Sequence, residues 1–399
     1  MNVVITPGRL QGTVMAPPSK SEAHRLLIAM ALADKPSRLH LTACNADVAA
    51  TMRCLEALGA QIKEKDGCVW VQPIKAARQN VLCDCGESGS TLRFITPVAA
   101  ALGGAALRGC GRLAERPMEP LLSLLRGHGC AVSEEGLPLK VSGGLKSGAY
   151  ALRGDISSQF VTGLLYALPL LEGDSEIVLT TPLQSRGYVK MTLQVLRRFG
   201  IAIQERENAF MIPGRQRYTV PGEELTAEGD WSGAAFWYGA NFAGGDVRIE
   251  GLRADSAQGD KVIAQLTQTL PDVMDVGDIP DLLPVLSVMA CKKQGDTRFV
   301  NAYRLRSKES DRLEAGRQMI QALGGSAETT QDTMTVHGTG CLAGGVVDGM
   351  NDHRIVMSAA IAACLCEKEV TILGAEAANK SYPAFWKDFE QLGGKAHVL

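Results

Sequence analysis

The sequence is poor in aromatic residues and carries almost no net charge. Phenylalanine, tryptophan and tyrosine make up 5% of its 399 residues, and 41 lysines and arginines nearly balance 43 aspartates and glutamates. A general nucleic-acid-binding protein is usually more basic, with aromatic residues among the basic ones. We therefore expect no nucleic-acid partner.

Recognisable targeting and membrane segments are also missing. The N-terminal MNVVITPGRLQG has no basic segment followed by an apolar core, as a signal peptide would have. The longest strongly apolar run, FVTGLLYALPLL at 160–171, is too short to span a bilayer. We expect a cytoplasmic protein without a membrane partner.

The motifs of the common metal and nucleotide sites are absent as well. The sequence contains no HExxH, no CxxC pair, no GxxxxGK[ST] and no GxGxxG. Its eleven cysteines are scattered and odd in number, which is typical of buried reduced thiols rather than of a disulfide framework.

What the sequence does contain is a long internal repeat. One kind of helical segment ends in a glycine and a short strand, as in TMRCLEALGAQI at 51–62. It alternates with an apolar helix that has a polar start and a β-branched strand behind it, as in SGSTLRFITPVAAALGG at 88–104. Helices that are apolar nearly all round belong in a core. We predict an α/β protein with a βαβαββ unit used six times, in two similar domains of three units.

The predicted core helices start with SKS, SGS, SSQ, DWSG, IPD and NDH. Serine, aspartate and asparagine are the preferred helix caps, so capping alone explains these residues. It does not explain Lys20, Arg25, Arg93 and Arg354, which lie in or beside first turns where the helix dipole is already positive. Gathered helix N-termini with added cations would bind anions.

Charge is concentrated most densely in RLRSKESDRLEAG at 304–316. Lys308 and Arg312 are four residues apart with Glu309 between them. Like charges at this helical spacing are unfavourable. Two interpretations remain open: a solvated face of mixed charge, or an anion site that contains a carboxylate for proton transfer.

Three other segments combine charge with a helix start. In GDIPDLLP (277–284), Asp281 begins an apolar helix and could either cap it or accept a proton from a bound hydroxyl. NDHRIVM (351–357) has the same two interpretations. In AERPMEP (114–120), Arg116 precedes a proline that would fix the backbone and aim its guanidinium at a phosphate; an ordinary surface arginine is the other interpretation.

Taken in order, these motifs resemble those of the 5-enolpyruvylshikimate-3-phosphate synthase family. The segments that carry the resemblance are PPSKSEAHR, GESGSTLRF, ERPM, DISSQF, IPD, KESDR, NDHR and NKSYP. It covers almost the whole chain, and KESDR together with NDHR is specific. The resemblance implies two similar domains of three βαβαββ units each, a fold described as an inside-out α/β barrel, with the active site in the cleft between the domains.

The resemblance also implies a reaction, in which the enolpyruvyl group of phosphoenolpyruvate is transferred to the 5-hydroxyl of shikimate 3-phosphate and phosphate is released. This is the enolpyruvyl (carboxyvinyl) transferase step of the shikimate pathway, which leads to chorismate and the aromatic amino acids. No metal or other cofactor is implied, because fixed cations stabilise the charge. Both substrates are phosphorylated anions, which accounts for cations at helix N-termini.

Residue roles follow from the same resemblance. Asp281 would be the base facing the 5-hydroxyl, Glu309 the proton donor to the methylene carbon, and Lys20 an assistant. The residues that would bind shikimate 3-phosphate are Lys20, Ser21, Arg25, Ser157, Ser158, Gln159, Ser185, Tyr188, Asp281, Arg304 and Lys308. Those that would bind phosphoenolpyruvate are Lys20, Gly89, Arg116, Gln159, Arg312, Arg354 and Lys380. Two positions depart from the pattern of the family. Many members have asparagine at the position of Glu87, and some have asparagine at the position of Arg304.

We predict that one domain is discontinuous, with residues 1–14 plus 228–399 in one domain and 15–227 in the other. The observation behind this is VVITP, a strand without a partner helix before the first repeat. We expect a monomer.

Two other functions compete with the synthase. A sister enolpyruvyl transferase acts on UDP-N-acetylglucosamine and usually has a reactive cysteine before its Arg-Pro. Here Cys110 lies six residues before Arg116 in a strand-like GCGRL, and we interpret it as structural. A non-catalytic anion-binding protein would need the cations but not Asp281 and Glu309 together.

Overall fold

A computed structural model describes residues 1–133, 136–222 and 224–399. The chain forms two compact units. Unit 1 comprises Met1–Ser19 and Glu228–Leu399, and unit 2 comprises Lys20–Ala227. Among the residues in these ranges, no helix is long and apolar enough to cross a bilayer.

Helices are interleaved with one or more strands along the described chain. The helices are α1 (Lys20–Leu32), α2 (Ala46–Leu58), α3 (Gly89–Ala101), α4 (Glu119–Gly127), α5 (Ser158–Ala167), α6 (Arg186–Arg198), α7 (Trp231–Phe242), α8 (Ile263–Leu266), α9 (Leu283–Lys292), α10 (Arg312–Ala322), α11 (His353–Ala362) and α12 (Phe385–Gln391). The strands are β1 (Asn2–Thr6), β2 (Gln11–Met15), β3 (Ser37–His40), β4 (Gln61–Lys65), β5 (Cys68–Gln72), β6 (Leu82–Asp84), β7 (Gly104–Arg108), β8 (Ala131–Val132), β9 (Leu139–Ser142), β10 (Ala149–Leu152), β11 (Ser175–Leu179), β12 (Gln204–Glu205), β13 (Ala209–Ile212), β14 (Glu224–Thr226), β15 (Asp246–Glu250), β16 (Val273–Asp275), β17 (Gln294–Val300), β18 (Ser326–Thr329), β19 (Met334–Thr339), β20 (Gly345–Asp348), β21 (Val370–Leu373) and β22 (Lys395–Val398).

Unit 2 contains three four-stranded sheets that share one pattern. In the order β6-β7-β9-β8, the first pair is parallel and the other two pairs are antiparallel. The sheet β10-β11-β13-β12 repeats this arrangement. In the third sheet, β14-β3-β5-β4, the first strand comes from the far end of the unit. The predicted α/β fold built from βαβαββ units is confirmed.

Unit 1 repeats the pattern with one exception. Its four-stranded sheets are β16-β17-β19-β18 and β20-β21-β1-β22. In the second of these, β1 lies antiparallel between β21 and β22, so that Val3 is opposite both Ile372 and Val398. The remaining pair, β2 and β15, is parallel and forms a two-stranded sheet. The repeat nearest the start of the chain is thus reduced.

Each unit has its own apolar core around three almost entirely buried helices. In unit 2 these are α1, α3 and α5, and in unit 1 they are α7, α9 and α11. Because their surfaces are apolar nearly all round, burial on every side is favourable. Side chains cap four of them, as the sequence predicted: Ser88, Ser157, Asp230 and Asp352 each accept a bond from a backbone N–H in the first turn.

Candidate active site

Arg25 links two helices of unit 2 at its buried guanidinium. Its Nε donates to Thr192 Oγ1 at 2.8 Å, and its terminal nitrogens donate to the carbonyls of Ser21 at 2.7 Å and Tyr188 at 3.0 Å. Burial lowers the pKa of Arg25 to about 10, despite the opposing charges of its tyrosine and glutamate neighbours. Three residues predicted to bind shikimate 3-phosphate are therefore brought together. Ser185, a fourth, lies just before α6 with a left-handed backbone.

Lys20 lies at the first position of α1, where the sequence placed it. Its Nζ is 3.1 Å from Asp47 Oδ2, and both side chains are mostly buried. Asp47 lies in the first turn of α2, where the helix dipole favours a carboxylate. The pair fixes the lysine against a second helix, a partner that the sequence analysis did not identify.

Gln159 connects α5 to α3. Its Oε1 accepts a bond from Arg93 at 2.8 Å, and its Nε2 donates to Ser90 Oγ at 2.9 Å. Ser157, directly before α5, accepts from the backbone N–H of Gln159. Arg93 was left without a role in the sequence analysis, and its contact shows that it orients the glutamine amide.

Gly89 and Arg116 lie against each other. A Cβ built at Gly89 would come within 2.5 Å of Arg116 Nη1, a distance that real Cβ atoms do not adopt. The absence of a side chain at the first residue of α3 therefore leaves room for the guanidinium. Two residues predicted to bind phosphoenolpyruvate meet at this helix N-terminus, as an anion site requires.

A buried chain of hydrogen bonds, which the sequence did not predict, joins α1, α2 and α3. His24 Nδ1 on α1 is 2.7 Å from Thr51 Oγ1 on α2, and that hydroxyl is 2.7 Å from Thr91 Oγ1 on α3. Thr91 in turn contacts Ser88 Oγ at 2.8 Å. Burial first, and then the charges of Lys20 and Arg25, hold the pKa of His24 well below its usual value. The imidazole is thus neutral, and the chain of hydrogen bonds ties α1, α2 and α3 together.

Arg312 is the centre of the charged cluster in unit 1. Its guanidinium contacts three carboxylates, with Nε 2.8 Å from Asp352, Nη1 2.7 Å from Asp281 and Nη2 2.7 Å from Glu309. Although burial opposes its charge, these carboxylates outweigh burial and raise the pKa of Arg312. The two predicted proton-transfer groups therefore share one arginine.

Asp281 also contacts two further predicted cations in this unit. Its Oδ2 accepts from Arg354 at 3.1 Å, and its Oδ1 is 3.7 Å from Lys308 Nζ. Arg354 donates a further bond to the backbone carbonyl of Asp281 at 3.2 Å. The first turns of α11 and of the 3₁₀ helix before α9 are thereby joined.

The last two predicted residues of unit 1 bond to backbone carbonyls. Arg304 donates to Gly277 at 2.7 Å, in the loop that leads to Asp281. Lys380 donates to Asn351 at 2.8 Å, immediately before Asp352. Each therefore stabilises a loop that carries a site carboxylate.

Asp260 is a buried carboxylate that the sequence analysis missed. It accepts a hydrogen bond from Ser232 Oγ in the first turn of α7. Burial and then the negative charge of Asp281 raise the pKa of Asp260 to about 7, against the opposing charge of Arg354. The segment that contains it, DSAQGD (255–260), is held against α7 by Gln258, which accepts from the backbone N–H of Trp231 at 3.0 Å.

Cys110 is not in a strand, contrary to the strand-like interpretation of GCGRL. β7 ends at Arg108, and Cys110 is an exposed residue directly before the 3₁₀ helix Gly111–Glu115. Gly111 has a φ of 57°, which a strand cannot accommodate. No group of three histidine, cysteine or carboxylate side chains in the described ranges has an arrangement that could hold a metal ion.

Comparison with known proteins gives one consistent family. The sequence profile of EPSP synthase (3-phosphoshikimate 1-carboxyvinyltransferase) matches residues 4–389. The chain is 40% identical to the 3-phosphoshikimate 1-carboxyvinyltransferase of Clostridium acetobutylicum, over 100% of this chain and 99% of that protein. The enzyme of the same name from Clostridium kluyveri is 39% identical, over 98% and 97%.

Comparison with solved structures finds the same family. The structure of an EPSP synthase from Acinetobacter baumannii superimposes with a TM-score of 0.82 over the full length of both chains, at 24% identity. At this identity the likeness concerns the fold, whereas the sequence matches settle the family. The chain therefore belongs to the EPSP synthase (3-phosphoshikimate 1-carboxyvinyltransferase) family.

Proposed function

We propose that this protein transfers the enolpyruvyl group of phosphoenolpyruvate to the 5-hydroxyl of shikimate 3-phosphate. Phosphate leaves, and the product is 5-enolpyruvylshikimate 3-phosphate, an intermediate on the way to chorismate. The observation that carries the proposal is that Asp281 and Glu309 both accept bonds from Arg312. A base and an acid thus meet at a cation suited to an anionic substrate.

The chemistry requires proton transfer at two atoms. The 5-hydroxyl oxygen bonds to C2 of phosphoenolpyruvate while its proton passes to Asp281, and Glu309 delivers a proton to C3. In the second half, Glu309 takes a proton back from the new methyl group, the double bond re-forms and the bond from C2 to the phosphate oxygen breaks, while Asp281 gives its proton to the departing phosphate. Fixed cations at the site lower the free energy of the charged species between these steps.

The cations divide between two roles in our proposal. Arg116, Arg312, Arg354 and Lys380 bind phosphoenolpyruvate, and Gly89 leaves the space that Arg116 needs. Lys20 contacts both substrates and assists proton transfer. Gln159, held by its two hydrogen bonds, also contacts both.

Shikimate 3-phosphate takes the remaining predicted residues. The serine hydroxyls at helix starts and the buried arginine suit a phosphate and neighbouring hydroxyls. The proposed set is Ser21, Arg25, Ser157, Ser158, Ser185, Tyr188, Asp281, Arg304 and Lys308.

We further propose that the two units are the two domains of a monomer that acts in the cytoplasm without a nucleic-acid partner. Each unit has its own apolar core, which supports independent domains. The eleven cysteines are free thiols, which supports a reducing compartment.

A phosphate-release assay tests the function. Purified protein is incubated with phosphoenolpyruvate and either shikimate 3-phosphate or UDP-N-acetylglucosamine. We expect phosphate only with shikimate 3-phosphate, together with a new vinyl ether in the proton NMR spectrum. Release with the nucleotide sugar instead would support the sister transferase, and binding without release would support a non-catalytic anion-binding protein.

A further inference from the structure

All three nitrogen atoms of the Arg312 guanidinium are already engaged in this structure. Each lies within 2.8 Å of a different carboxylate, and the side chain is 1% exposed. Arg354, which is also buried, bonds to Asp281 through both of its terminal nitrogens. A guanidinium carries five N–H groups, so an anion that binds these arginines must share them with, or displace, the oxygens that already accept from them.

The three carboxylates around Arg312 are not equally replaceable. Asp352 is 0% exposed, caps α11 and accepts a further bond from Ser310 Oγ at 2.9 Å. By contrast, the side chains of Asp281 and Glu309 are each 18% exposed. Asp352 is a fixed counter-ion, whereas Asp281 and Glu309 have solvent into which they can turn.

We propose that Asp281 and Glu309 are internal competitors of the anionic substrate. They occupy Arg312 and Arg354 in this structure, and the incoming phosphate group displaces them. Displacement releases the two carboxylates from their arginines, which makes them available for proton transfer only when substrate is bound. This inference rests on the function proposed above for its ligand, but its first step concerns phosphate alone.

The charges of the cluster explain why competition has a large effect. Lys308, Arg312 and Arg354 are matched by the three carboxylates, so these six groups present no surplus positive charge. Removal of one replaceable carboxylate leaves an unbalanced, mostly buried cation. Such a cation binds an external anion more tightly, because little solvent screens it.

The test measures binding of inorganic phosphate and of phosphoenolpyruvate to the full chain by titration calorimetry, without shikimate 3-phosphate. In Glu309→Gln we expect both anions to bind about 5- to 50-fold more tightly than in the wild-type protein. The matched control is Glu314→Gln, since Glu314 pairs with Arg317 in the same i,i+3 geometry on α10 but at the surface. It should leave both affinities unchanged.

Unchanged or weaker phosphate binding in Glu309→Gln would overturn the proposal, as would equal tightening in Glu314→Gln. Asp281→Asn is a second variant and should also tighten phosphate binding, since a neutral amide is a weaker partner for both arginines than the carboxylate. Turnover of the wild-type protein is measured separately with both substrates. Its absence would reject the proposed function, while tighter phosphate binding in the variants would still support competition.

Discussion

The hydroxyl of Ser232 donates a hydrogen bond to the buried carboxylate of Asp260, which ties the first turn of α7 to the 3₁₀ helix Gly259–Val262 directly before α8. Burial, together with the charge of Asp281, raises the pKa of Asp260 to about 7, while Arg354 opposes the shift. At neutral pH this carboxyl is therefore partly protonated. Asp260 therefore retains a proton more readily than Asp352, whose pKa is lowered.

The first prediction concerns stability and pH. Because the folded-state pKa of Asp260 lies above its ordinary value of 3.8, its contribution to stability is fully present below that value and is lost as the pH rises towards 7. In Asp260→Asn this loss disappears. Relative to the wild-type protein, the free energy of unfolding of the variant should rise by up to about 1.4 kcal/mol per pH unit between pH 5 and 7. Urea unfolding across that range measures it, and parallel curves for the two proteins would contradict the assignment.

The second prediction concerns the fixed counter-ion. Burial opposes the charge of Asp352, but the charge of Arg312 outweighs it and holds the pKa of Asp352 below its usual value. Asp352→Asn leaves a buried guanidinium with one charge fewer nearby and should cost about 3 kcal/mol or more in unfolding free energy. Asp311→Asn is the comparison, because it alters the partly exposed cap of α10, where asparagine caps about as well as aspartate, and it should cost less than about 1 kcal/mol.

The lowered pKa of Asp352 also makes its contribution to stability depend on pH, with the opposite sign to that of Asp260. A group with a depressed folded-state pKa stabilises the protein fully above its unfolded-state pKa. This stabilisation is lost as the pH falls from there through the folded-state pKa. The difference between the wild-type protein and Asp352→Asn should therefore shrink on acidification below about pH 4. A difference that stays constant in acid would show that Asp352 acts through packing rather than through its charge.

The third prediction concerns the space beside Arg116. In Gly89→Ala the new methyl group would lie 2.5 Å from the guanidinium, which must move. We expect the KM for phosphoenolpyruvate to rise by about 10- to 100-fold while the melting temperature changes little. Gly127→Ala, in α4, is the control because nothing lies within 4 Å of its added Cβ. Equal kinetic effects in both variants would remove Gly89 from the site.

The repeated fold could be predicted from the sequence because its signals are local. A polar start, an apolar helix and a β-branched strand recur, and the structure has α3 and β7 where SGSTLRFITPVAAALGG placed them. The pairing of Asp281 with Arg312 was accessible only through the motifs that carry both. Thirty-one residues separate the two in sequence, and local periodicity carries no information on such a contact.

The residues that were missed depend on tertiary packing. Asp260 lies in DSAQGD, which has the composition of a surface turn, and only the fold buries it against Ser232. Thr51 and Thr91 read as ordinary helix residues, yet their hydroxyls continue a buried chain from His24. Cys110 was misplaced because its apolar neighbours mimic a strand, while the positive φ of Gly111 ends the extended backbone.

The measurement that tests the account most directly is the turnover of Asp281→Asn. The amide is nearly the same size and can still accept a bond from Arg312, but it cannot take the proton of the 5-hydroxyl. We predict that kcat per folded molecule falls by about 100- to 10,000-fold while shikimate 3-phosphate binding stays close to that of the wild-type protein. Asp272→Asn, which alters an exposed carboxylate paired with Lys293, should leave kcat unchanged. Near-normal turnover in Asp281→Asn would contradict the assignment of Asp281 as the base.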